Sequence, residues 1–260
     1  MKHPFIALLT DFGTEDGYVA AMKGRILSEA PEVRLIDISH SIKPFNVRQA
    51  AFCLNNSYPY FPEKTIFVVV VDPGVGTSRH GIVVKTSQHY FIGPDNGVFS
   101  FVIRREGFQA FRILLDAFEE PVSPTFHGRD VFVRLAAWLA NGQTLPNYLS
   151  PVKKIDSFLN PPQKISGREL ILEVFHIDHF GNMVLNLHRN DLLEYDDLSR
   201  MRVRIGEVEL NSLLDTFGAA EKGALLLSWD SSDFLQIAQN MGSAARQLKA
   251  AIGDQVYLYL

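Results

Sequence analysis

Ile66–Val71 is a run of six apolar residues, four of them consecutive valines, and it stops abruptly at Asp72-Pro73-Gly74. The run is too short to cross a bilayer, and its β-branched residues suit a strand buried on both faces. Proline removes a backbone donor and glycine permits positive φ, so the chain must turn after Asp72. Phe5–Thr10 repeats the pattern: a short apolar strand ending on an acidic residue, Asp11. Between Asp16 and Ala30, Val19, Met22 and Ile26 recur at helical spacing, with Pro31 as the stop. Val33–Ile38 reads as a further strand, and Asn46 as the cap of a helix running through Leu54. Strand and helix alternating in this way predict βαβ units and a mostly parallel sheet. Gly81–Lys85 and His89–Ile92 add a hairpin, followed by the turn-rich Gly93–Gly97; a helix over Asp130–Leu139 closes this half.

The periodicity changes between Asn141 and Gly167, where Pro146, Pro151, Pro161 and Pro162 interrupt any pattern. That stretch reads as a linker or wrapping segment. Beyond it come six short strand candidates: Leu170–Ile177, Met183–Leu187, Met201–Ile205, Ala224–Ser228, Phe234–Ala238 and Gln255–Leu260. Between them lie only brief helical patches such as Asn190–Glu194, which predicts a small β-barrel or sandwich. The expected organisation is an N-terminal α/β domain over residues 1–166, linker included, and a β-domain over 167–260.

Composition narrows the function classes. At 260 residues the chain can bury a sizeable core, and a net charge of −4 disfavours a protein that works by neutralising nucleic-acid phosphates. The start shows no signal peptide, and no apolar run reaches membrane-spanning length. One cysteine, Cys53, excludes an internal disulfide and a cysteine-based zinc site. A cytoplasmic setting is expected.

Two clusters could carry chemistry. Asp11 and Asp72 both follow the ends of predicted parallel strands, the edge at which open α/β sheets bind ligands. Arg79 returns a positive charge seven residues after Asp72, and His127 lies beside Gly128 ahead of a helix. A carboxylate, a guanidinium and an imidazole together can orient and activate water. The same residues also fit a surface Asp–Arg pair and a capping or core histidine. The second cluster is Ile177–Asn182: Phe180 offers a stacking face, Asn182 an amide edge and Asp178 a charge. Alone it is equally well a turn. His176 and His179 beside Asp178 match no standard zinc spacing. There is no Walker loop, no nucleophile elbow and no GxGxxG fingerprint.

Five motifs occur in order: LLTDFG (8–13), VDPGVGTSR (71–79), GPDNG (93–97), TFHGRD (125–130) and IDHFGN (177–182). In this respect the chain resembles the S-adenosylmethionine (SAM) hydroxide adenosyltransferases, relatives of the fluorinating and chlorinating SAM enzymes, over nearly its whole length. The resemblance implies an N-terminal α/β/α domain, a C-terminal β-barrel and a homotrimer with SAM held between subunits. It implies metal-independent hydrolysis of SAM to adenosine and L-methionine, with SAM as substrate and no cofactor. On this resemblance Asp72, Arg79 and His127 activate water, and Asp11 binds the ribose. Asp16 lies near the methionine end, and Phe45 stands where the halogenating relatives carry Trp. Phe180 and Phe217 stack on adenine, Asn182 bonds its edge, and Asp178 and Ser231 hold the methionine amino-acid group. Ser232 departs from the pattern, since the fluorinating enzyme has an Arg there that contacts the methionine carboxylate.

Two other readings stand beside this one. In the first, Asp11, Asp72 and His127 ligate a metal in a phosphoester hydrolase; in the second, the chain is a non-catalytic adenosine- or SAM-binding module.

Overall fold

The computed structural model describes residues 4–118, 120–195, 198 and 201–260. It divides into two compact units, one ending at Phe158 and the other beginning at Leu159.

The first unit follows the alternating pattern. Its elements are β1 (Phe5–Thr10), α1 (Tyr18–Glu29), β2 (Arg34–Ser39), α2 (Val47–Ser57), β3 (Ile66–Val70), β4 (Gly81–Lys85), β5 (Tyr90–Pro94), α3 (Ser100–Arg105), β6 (Gln109–Ile113), α4 (Val133–Ala140) and β7 (Leu149–Val152). The sheet order is β2-β1-β3-β5-β4-β6-β7. β2, β1, β3 and β5 are mutually parallel, β4 is antiparallel to β5, and β6 and β7 alternate outward from it. The sheet is therefore mostly parallel, as the periodicity predicts. Every residue of β3 is buried, which is why that strand reads as an unbroken apolar run. α1 buries Val19, Met22 and Ile26, and the last two join a core with Ile6, Leu8, Val68, Val70 and Phe132. Asn46 caps α2 by accepting from the Gln49 N–H at 2.9 Å.

The second unit contains β8 (Gln163–Ser166), β9 (Glu169–Ile177), β10 (Met183–His188), β11 (Arg202–Ile205), β12 (Val208–Leu210), β13 (Leu225–Trp229), β14 (Phe234–Gln239), α5 (Ala244–Leu248) and β15 (Gln255–Tyr259). The order β12-β11-β15-β9-β10-β14-β13 is antiparallel throughout. The chain just after β12 bonds back to β13, with Leu214 N–H to Leu227 O at 2.9 Å and Leu227 N–H to Ser212 O at 3.1 Å. Those two bonds nearly close the sheet into a barrel around Val174, Leu185, Val203, Leu235 and Val256.

The linker expectation needs correcting. The expected linker supplies β7 and β8, and β6 is a strand that the periodicity does not predict. β7 contains Pro151 and runs along an edge of its sheet, where a missing donor is tolerated. β8 is exposed along its length and pairs only with β9, so it carries no alternation to read. The units divide eight residues before the expected boundary at Gly167, because that glycine sits in the turn of the β8–β9 hairpin.

Candidate active site

The buried run of β3 delivers Asp72 to the carboxyl edge of the sheet, and the loop that follows returns Arg79 to it. Nε of Arg79 donates to Asp72 Oδ1 at 3.0 Å, and Nη2 donates to Oδ2, a two-pronged pairing. Both side chains are more than nine-tenths buried. Nη2 also lies 3.3 Å from Nδ1 of the buried His127. Nη1 is buried and has no partner among the described residues. Beneath the group, the Phe132 ring lies 5.7 Å from the guanidinium carbon.

The loop is shaped by contact with the segment ahead of His127. Gly76 has φ +73°, and a Cβ there would lie 2.4 Å from the Pro124 carbonyl oxygen. His127 enters a π-helical turn, Gly128–Phe132, before α4 begins at Val133. The helix expected from Asp130 therefore starts with a wider turn, a feature frequent at functional sites.

Burial raises the Asp72 carboxyl above its ordinary value, while Arg79, the Gly74 N–H and His127 pull in the opposite direction without cancelling it. Burial, and then the Arg79 charge, lower His127, against weaker pulls from Asp72 and Asp130. At neutral pH His127 is uncharged. Its Nδ1 faces a donor and must accept, so the ring proton sits on Nε2.

A cavity of about 320 Å³ opens beside this cluster and is lined by Asp11, Phe45, Asp72 and His127. Asp11 Oδ2 accepts the Phe45 N–H at 2.8 Å. Phe45 holds φ +66° and is 71% exposed, an unusual pairing of left-handed backbone and open ring. The turn carrying Asp11 is braced from behind: Thr10 Oγ1 meets His40 Nδ1 at 2.8 Å, and the Gly13 N–H donates to His40 O at 2.8 Å. Phe12, Tyr18 and Phe126 form one apolar wall, their ring centroids 5.6–5.8 Å apart. Sequence reasoning missed Tyr18 and Phe126 as lining residues; Phe126 sat in the quoted TFHGRD, whereas Tyr18 reads only as a helix start. Asp16 is exposed ahead of α1 and does not line the cavity.

In the second unit, Phe180, Asn182 and Phe217 share a cavity of about 440 Å³ with Gln239, Asn240, Met241 and Gly242. Phe180 is 75% exposed and Asn182 is buried. Asp178 holds Asn182 through both oxygens, accepting its N–H and its Nδ2, each at 2.8 Å. Ser231 is exposed and lies outside the lining. The Gln239–Gly242 turn gave no signal beyond an Asn and a Gly around Met241. A further cavity, about 600 Å³, lies at the opposite end of β3 and β5 around Lys64, Lys85 and His89 and holds none of the predicted residues.

Among the described residues no three His, Cys, Asp or Glu side chains are grouped to hold a metal ion. No helix among them is long and apolar enough to cross a membrane.

A two-unit fold with a buried Asp–Arg–His cluster at the end of a parallel strand defines the class, and comparison with known proteins agrees. Residues 6–148 match the SAM hydroxide adenosyltransferase N-terminal domain, and residues 172–257 match its C-terminal domain. The chain belongs to the SAM hydroxide adenosyltransferase family. It is 36% identical to the (R)-S-adenosyl-L-methionine hydrolase of Methanocaldococcus jannaschii, covering 96% of this chain and 94% of that one. The enzyme of the same name from Thermus thermophilus is 33% identical, covering 97% of this chain and 98% of its own length. A fluorinase from Nocardia brasiliensis is 30% identical, with 98% and 97% covered. The crystal structure of an uncharacterized conserved protein from Thermotoga maritima superposes with a TM-score of 0.85 at 36% identity, covering 98% of this chain and all of that one.

Proposed function

We propose that this protein hydrolyses S-adenosyl-L-methionine to adenosine and L-methionine. The observation that carries the reading is the buried Asp72–Arg79–His127 cluster, of which Asp72 and His127 line the cavity while Arg79 pairs with both from behind. The Arg79 charge favours the anionic form of a water held beside Asp72 and His127 at the cavity wall. The water oxygen attacks C5′ in line, the C5′–S bond breaks, and its electron pair stays on sulfur as the neutral thioether of methionine. The leaving group needs no acid. Asp72 takes the proton in this reading, because its carboxyl is raised by burial and the neutral His127 accepts from Arg79 through Nδ1. His127 Nε2–H is then a donor that helps to orient the water.

The remaining roles follow the resemblance. Asp11, at the cavity wall, binds the ribose hydroxyls, and Phe45 lies beside the nucleoside. Phe180 and Phe217 stack on adenine, which suits rings left 75% and 44% exposed in one cavity. Asn182 bonds the adenine edge, oriented by Asp178, while Asp178, Ser231 and Asp16 face the methionine portion. Each cavity alone is at the low end of the roughly 300–1,000 Å³ typical of ligand pockets. We assign both to one composite site formed by neighbouring subunits of a homotrimer. The relatives' name specifies the R configuration at sulfur, and we assign that epimer to this chain too. SAM acts as substrate, with no further cofactor, and a cytoplasmic setting suits it.

The metal-dependent reading is disfavoured by the site itself: Arg79 takes both Asp72 oxygens, and Phe45 takes one of Asp11. Incubation with epimerically resolved SAM, followed by chromatography for adenosine with and without chelator, tests the proposal. Adenosine released at an unchanged rate in chelator is expected. Intact SAM would favour a binding module, and loss of activity in chelator would favour a metal.

A further inference from the structure

The loop that carries Asp72 and Arg79 leaves β3 and enters β4, two strands that do not touch. β5 lies between them and pairs with both. Its exit, the GPDNG stretch, is therefore placed to fix both ends of that loop. The Asp95 N–H donates to His80 O at 2.8 Å, directly after Arg79. The Asn96 side-chain Nδ2 donates to Val71 O at 2.9 Å, directly before Asp72, and its Oδ1 accepts the Val98 N–H at 3.2 Å. The stretch is itself held closely. A Cβ on Gly97, at φ +91°, would lie 2.8 Å from the Phe158 ring, and Asp95 Oδ1 accepts the Asp156 N–H at 2.8 Å.

We infer that Asn96 is a positioning residue for the reaction: by gripping Val71 O it sets the angle at which the Asp72 carboxylate meets Arg79. Val71 is fully buried, so its carbonyl depends on this amide or an equivalent donor. Asn96 does not line the cavity and has no part in holding the nucleoside. The inference rests on the hydrolase reading. A wild-type enzyme that releases adenosine in the same assay separates the two.

The test is N96D, which keeps the shape and the acceptor toward Val98 but replaces the donor toward Val71 with a carboxylate oxygen. At pH 8, kcat is expected to fall about 10²-fold, the scale of a small misplacement of reacting groups, with KM and adenosine affinity within about twofold. Lowering the pH protonates the new carboxyl and restores an O–H donor. The ratio of N96D to wild-type turnover should therefore rise on acidification. If N96D lacks a cooperative unfolding transition, N96A serves: it loses the donor without adding charge, and its lower kcat should keep a constant ratio to wild type across pH. Wild-type turnover in either variant, a rise in KM at unchanged kcat, or a pH-independent deficit in folded N96D would overturn the inference.

Discussion

Nη2 of Arg79 lies 3.3 Å from Nδ1 of His127. A guanidinium only donates, so this contact requires a neutral imidazole; a protonated ring would set two cations face to face. The direction agrees, since burial and Arg79 both depress His127 below its ordinary 6.5. Lowered affinity for the proton means the neutral ring persists through neutral pH and is lost only in acid. Turnover should therefore be flat through neutrality and fall as pH drops below 6.5. Protonation of Asp72 acts in the same direction, because the proposed reaction uses the ionised carboxylate as proton acceptor. A kcat profile whose acid limb begins well above 6.5 would show that His127 is not held neutral as described.

Asp72→Asn and Arg79→Ala should each lower turnover by about 10²-fold or more, the range for a general base or a charge-stabilising donor. Adenosine affinity, measured by calorimetry, should change much less, because the residues proposed to face adenine line the other cavity. Near-normal turnover in Arg79→Ala would remove the role assigned to the Arg79 charge.

High fluoride or chloride should yield no halogenated nucleoside, even though a relative named fluorinase is 30% identical over nearly the whole chain. A halide entering this cluster must shed water beside the Asp72 carboxylate, and the Arg79 charge is already compensated by that carboxylate. Mass analysis of the nucleoside products decides; a halogenated adenosine derivative would mean the cluster admits an anion.

The composite site proposed between subunits predicts complementation. His127→Ala and Asn182→Ala should each be severely impaired alone. Co-expressed in equal amounts, they should recover roughly a quarter of wild-type activity, because random assembly around a ring restores about one interface in four. Mixed assemblies, verified by mass, that stay as inactive as their parents would exclude a site shared between subunits.

Two strands of the first sheet, β1 and β3, read easily because they are buried on both faces. β1 and β3 need nothing but apolar residues, and the acidic residue that ends each is where the cavity opens. β7 and β8 escaped because an edge strand with Pro151 and a wholly exposed strand lack the alternation that burial imposes. Asp72, Arg79 and His127 could be grouped from their chemistry, but the sequence held no sign that Arg79 would bridge the other two. Tyr18 and the Gln239–Gly242 turn stayed hidden for another reason: they line cavities through tertiary placement, while locally they read as a helix start and a tight turn.

The central claim is that water attacks C5′ of SAM, and the most direct measurement follows the oxygen. SAM turned over in water enriched in heavy oxygen should give adenosine carrying one heavy atom at its 5′-hydroxyl and unlabelled methionine, resolved by mass spectrometry. Unlabelled adenosine, label in the amino-acid product, or methylthioadenosine in place of adenosine would contradict the account.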